Sequence, residues 1–116
     1  MHAIYFRWKV APGRERDFEH AWLELTTLIR DEQGGLGSRL HRCNDGHYFA
    51  YAQWPSERVR ATQPALTARM VVLRQQMREC AELVDGPVQC DVVADLLVSV
   101  APDQGEPAGA SIDRPD

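Results

Sequence analysis

Between Ala3 and Ile29 the apolar residues change their spacing once, and that switch limits the folds the chain can adopt. Ile4, Phe6, Trp8 and Val10 alternate with Tyr5, Arg7 and Lys9, the pattern of a strand that buries one face. Phe18, Ala21, Trp22, Leu25, Leu28 and Ile29 then recur at three- and four-residue steps, which places one apolar stripe on a helix. Pro12 suits the first helical position, because a helix start leaves that amide without a partner, and Gln33-Gly34-Gly35 supplies the stop.

Residues 36–43 and 47–54 read as two further strands, joined at Asn44-Asp45-Gly46, whose residues tolerate left-handed turn geometry. Two registers are open. A three-residue loop sets His47 opposite Cys43 and His41 opposite Phe49, whereas a two-residue loop at Asp45-Gly46 shifts every pair and exchanges the faces. Ser56 is an N-cap for a short helical turn, and Pro64 interrupts before a longer helix over 66–84 with the stripe Leu66, Met70, Leu73, Met77, Cys80 or Ala81, and Val84. Asp85-Gly86-Pro87 stops it, and 88–100, rich in β-branched residues, reads as a last buried strand.

The order β, α, β, β, α, β predicts an α+β, ferredoxin-like domain over 1–101, in which a four-stranded antiparallel sheet carries both helices on one face. The other face then needs a cover. The last strand is apolar on both alternating sets, Val92, Ala94, Leu96 and Val98 against Val93 and Leu97, which predicts a homodimer through the sheet face. Residues 102–116 hold no large apolar side chain except Ile112, so a disordered tail is expected.

Composition narrows the partners. Asp and Glu number 17 against 13 Lys and Arg, a net charge of -4 that argues against nucleic acid. No run approaches the roughly 18 apolar residues of a membrane helix, and the start lacks a basic region followed by an apolar stretch. A cytoplasmic protein without a membrane partner is expected. Cys43, Cys80 and Cys90 are odd in number and lack CxxC spacing, so reduced thiols are expected rather than disulfides or a zinc ribbon. His20 and Glu24, one helical turn apart, lie off the apolar stripe, and His41 with His47 lacks a third ligand, so no metal is assigned. "GGLGS" precedes a strand and lacks the Lys of a phosphate loop. No cofactor is implied.

Large aromatics usually fill cores. Trp8, Trp22 and Trp54, beside the small residues Ser38, Ala50 and Ala52, can instead wall a cavity for a small hydrophobic or flat aromatic ligand in its neutral form. His41 and Tyr51 are the nearest candidates for a base or donor there. Arg7, Arg39 and Arg42 could hold an anionic group, although strand arginines more often sit at a solvated rim. Cys43, at a strand end, is read as passive.

"YFRWKVAPGRERDFEHAW" at 5–22, "GGLGSRLHR" at 34–42 and "DGHYFAYAQWPS" at 45–56 resemble the antibiotic biosynthesis monooxygenase (ABM) domain family. The resemblance runs from about residue 2 to residue 100. It implies a ferredoxin-like fold in a dimeric α/β barrel, with any ligand cavity between helices and sheet. Family activities include cofactor-free oxygenation of anthrone-type aromatics and haem degradation. The haem degraders use a helix-borne His and an Asn on the first strand; the stretches 66–84 and 3–10 have neither. Trp54 is the one aromatic the resemblance carries over, as a pocket wall. The resulting expectation is a cofactor-independent monooxygenase, with a non-catalytic binding or structural protein as the alternative.

Overall fold

The computed structural model describes residues 1–99. Its elements are β1 (His2–Val10), α1 (Glu15–Glu32), β2 (Ser38–Arg42), β3 (His47–Trp54), α2 (Glu57–Ala61), α3 (Ala68–Cys80) and β4 (Ala81–Asp91). The strands form one antiparallel sheet in the order β2-β3-β1-β4. The expected tail, 102–116, lies outside the described residues.

The ferredoxin-like sheet with flanking helices is present, but the expected barrel is not. The sheet is open, with β2 and β4 as its edges. Strand number explains this, since closing a barrel around a side-chain interior takes about eight strands and the chain supplies four.

Local chemistry explains most element boundaries. Pro12 falls in a turn rather than in α1, because Gly13 at φ +85° sends the chain into the helix at Glu15. Ser56 caps α2 by accepting from the Val59 amide, and Thr67 caps α3 by accepting from the Met70 amide.

The second half departs from the expected pattern. α3 ends at Cys80 instead of residue 84, and the last strand is 81–91 rather than 88–100. Leu83 and Val84 fit a helical stripe on sequence spacing, yet pairing decides: β4 zips along the whole of β1, from Val10 opposite Ala81 to His2 opposite Asp91. Asp85-Gly86-Pro87 therefore sits inside the strand, where the register slips beside Tyr5 and Arg7. Gly86, at φ +100°, passes so near β1 that a Cβ there would lie 2.5 Å from the Tyr5 carbonyl oxygen. Residues 92–99 form no strand, and Val93, Leu96 and Val98 in them are exposed rather than buried.

Two apolar clusters hold the layers together. Trp8, Val10, Phe18, Tyr48, Ala50 and Cys80 join the sheet to the start of α1 and the end of α3. Ala21, Leu25, Met70 and Leu73 join the two long helices to each other. A separate gap lies beside these clusters.

Candidate functional site

Strand parity decides which side chains can meet a ligand. Ile4, Phe6 and Trp8 on β1 stand opposite Ala52, Ala50 and Tyr48 on β3, and Ser38 on β2 stands opposite Ala52. All of these face the helices. Because Ala50, Ala52 and Ser38 are small, the sheet leaves space beneath α1, and a cavity of about 420 Å³ opens there. Trp8, Trp22, Ser38 and Trp54, the pocket residues named from sequence, all line it. Trp8 also serves the core, stacked on Phe6 at 5.5 Å and edge-on to Phe18 at 5.2 Å.

The hairpin adopts the three-residue loop. His47 accepts from the Cys43 amide at 2.8 Å through its carbonyl, Gly46 takes φ +86°, and His41 pairs with Phe49. That register sends His41 and Tyr51 to the sheet face away from the cavity, where their rings stack 6.1 Å apart. His41 also lies 3.2 Å, through Nδ1, from the Phe49 carbonyl oxygen. Neither residue lines the cavity. Arg7 and Arg39 alternate to the same outer face. Cys43 shares that face, with the Arg7 guanidinium 3.8 Å from its sulfur. Glu24 is taken up by Arg69 at 2.6 Å, which removes the His20 and Glu24 pairing.

Arg42 faces the helices but is engaged elsewhere. Its Nη2 donates to Glu19 at 3.0 Å and its Nε to the Tyr48 hydroxyl at 3.1 Å, while that hydroxyl donates to Glu19. This cluster pins α1 to the hairpin. Burial, then the Glu19 hydrogen bond, pushes the Tyr48 hydroxyl above its ordinary 10.0. A raised folded-state value stabilises the fold below the unfolded value and loses that contribution as pH climbs through the folded one. Thermal midpoints are accordingly expected to fall as pH rises beyond 10, and Tyr48→Phe should flatten that slope.

The polar part of the cavity wall was not foreseen from sequence. Arg30, Arg60, Arg74 and Arg78 line it, together with Gln33 and Gln63, and among the described residues no aspartate or glutamate does. Gln33 is 5% exposed; its Nε2 donates to the Pro64 carbonyl at 3.2 Å and to the Met70 sulfur at 3.4 Å. The Oε1 atoms of Gln33 and Gln63 are buried without a partner. The expectation of a cavity suited to a neutral ligand therefore needs correction. These arginines come from three separate helices, and long side chains reach walls that a helical stripe does not mark. Among the described residues no group of three His, Cys, Asp or Glu is arranged to hold a metal, and no helix is long and apolar enough to cross a membrane.

The profile of the family described as antibiotic biosynthesis monooxygenase matches residues 1–62, more than half of the chain. The chain belongs to this family. The match spans β1 to α2, the strands and helix that form one wall of the cavity. No curated protein matches the chain significantly. Among solved structures, this ABM chain is similar to SnoaB, a cofactor-independent oxygenase from Streptomyces nogalater. The identity is 17% and the TM-score 0.66, over 82% of this chain and 95% of that one. A protein of Chloroflexus aurantiacus J-10-fl assigned to the same family is 11% identical, with a TM-score of 0.68 over 84% and 98% of the two chains. One from Bordetella bronchiseptica is 23% identical, with a TM-score of 0.62 over 80% and 97%. Identities this low speak for a shared fold.

Proposed function

We propose that this ABM-family chain is a cofactor-independent monooxygenase acting on a small aromatic substrate. The observation that carries the reading is the cavity of about 420 Å³ between helices and sheet, walled by Trp8, Trp22 and Trp54. The likeness to SnoaB, itself a cofactor-independent oxygenase, supports it.

The chemistry starts with loss of a proton from a phenol or an activated methylene. Among the described residues no His, Asp, Glu, Cys or Tyr lines the cavity, so the described wall offers no side-chain base and the proton passes to water. Arginines in the wall favour the ionised substrate, because a nearby positive charge lowers the pKa of an acid. The carbanion then reduces O₂. One oxygen atom bonds to the carbon, the other leaves as water with both methylene hydrogens, and the methylene becomes a carbonyl.

Oxygen uptake with anthrone tests this. The expected result is one O₂ consumed per anthrone converted to anthraquinone, without hydrogen peroxide and unchanged by a chelator. The absence of a base in the wall favours a second reading, a protein that binds aromatics without turning them over. Binding of anthrone with no uptake above the buffer rate would select it.

The proposal extends to a homodimer through the sheet face opposite the helices, where Tyr5, Phe49 and Tyr51 are half-buried and no helix of the described residues lies over them. Light scattering at micromolar concentration is expected to give twice the chain mass of 13.1 kDa; a single chain mass would rule this partner out.

A further inference from the structure

The cavity wall is charged in a way the whole chain is not. The chain carries a net -4, yet among the described residues the wall holds four arginines and no acidic residue. Arg30 is neutralised by Asp31 at 2.9 Å, and outside the wall Arg14, Arg42 and Arg69 are each paired with a carboxylate. Among the described residues Arg60, Arg74 and Arg78 have no such partner. Arg74 and Arg78 stand one turn apart on α3, so their like charges share a face, an arrangement that costs helix stability unless an anion lies between them.

A second observation concerns the other end of the same wall. Gln33 is nine-tenths buried, with its amide hydrogens directed to the Pro64 carbonyl and the Met70 sulfur, and its Oε1 has no donor. Gln63 presents a second buried acceptor without a donor. A buried acceptor left open is costly, and a ligand hydroxyl would satisfy one. The spacing between the two ends follows from helix geometry. Met70 touches Gln33, and Arg74 and Arg78 lie one and two turns further along α3, about 6 and 12 Å along the axis.

We propose that the ligand of this cavity is a hydroxylated aromatic carboxylate. Its rings lie among the three tryptophans, its hydroxyl donates to Gln33 or Gln63, and its carboxylate is held by Arg74 and Arg78. The proposal rests on the reading of the cavity as an aromatic site and adds the two polar anchors. Guanidinium forks suit a carboxylate, and such charge-assisted bonds are about twice as strong as neutral ones.

Calorimetric titration with 6-hydroxy-2-naphthoate, its carboxamide and 2-naphthoate separates the parts. The wild-type protein is expected to bind the hydroxy acid roughly tenfold or more tightly than the amide, a preference that shrinks with added salt. It should also bind the hydroxy acid several-fold more tightly than 2-naphthoate. In Arg74→Gln/Arg78→Gln the acid should lose at least tenfold in affinity while the amide stays within about twofold. Both arginines are exposed and glutamine is a good helix former, so the double variant keeps its fold. Equal wild-type binding of acid and amide, or an unchanged acid affinity in the double variant, overturns the arginine anchor and leaves the aromatic cavity standing. Equal binding of hydroxy acid and 2-naphthoate overturns the glutamine anchor. Binding of none of the three overturns both the proposal and the reading beneath it.

Discussion

In Ala52→Phe, binding of anthrone is expected to fall below detection while the thermal midpoint holds or rises. Ala52 lies on the helix-facing side of β3, between Ile4 on β1 and Ser38 on β2, and lines the cavity. A phenyl ring at that position projects into open space rather than into packed neighbours, so the variant escapes the usual cost of overpacking and adds apolar contact to the wall. Trp22 and Trp54 border the same space. A flat ligand and the new ring would claim one volume. Fluorescence titration with anthrone, beside a melting curve, decides the matter. Retained wild-type affinity in a folded Ala52→Phe protein would place the ligand site elsewhere.

Phe18→Ala is expected to be the most damaging single truncation in the core. Phe18 has no exposed surface and is wedged edge-on between Trp8 at 5.2 Å and Tyr48 at 5.4 Å. Its loss removes apolar contact and leaves a hole that the two rigid aromatic side chains beside it cannot close, at a cost of about 3–5 kcal/mol. Domains of this size hold only about 5–15 kcal/mol in total. Each kcal/mol moves the midpoint by roughly 4–8 °C, so a fall of about 15 °C or more should appear in the melting curve. Phe18→Leu, which keeps most of the volume, should lose much less. A shift of only a few degrees in Phe18→Ala would mean that α1 is not clamped to the sheet at this point.

Much of the first half of the fold was legible in the sequence because periodicity and burial agree there. β3 occupies 47–54 as read, and the stripe through Phe18, Ala21 and Leu25 is the buried side of α1. The end of α3 was not legible, because Leu83 and Val84 satisfy both a helical and an alternating spacing and only β1, far away in sequence, selects between them. Residues 92–99 misled for the opposite reason. Their β-branched content signals a strand, but the edge of the sheet is already taken by residues 81–91. Around the cavity, the tryptophans could be named since large aromatics beside small strand residues imply either core or wall. The arginines could not. Arg60, Arg74 and Arg78 look like ordinary polar positions on helix exteriors, and their reach over the cavity is a property of the assembled layers.

The turn at Asn44 to Gly46 sets which chemistry this scaffold holds. With three residues in the loop, Leu40 points inward to the core and the His41 imidazole points out. Closing the turn on Asp45-Gly46 alone, with Asn44 drawn into pairing opposite His47, would slide β2 by one position and bring His41 opposite Ala50, on the inner face. That register would give the inner face an imidazole, a group absent from the described wall of the cavity. The cost would be the contacts of Leu40, whose side chain would turn to the outer face. Whether an imidazole faces the helices is therefore set by how many residues the surface turn takes up, and the same slip would exchange Ser38 for Arg39 on the inner face.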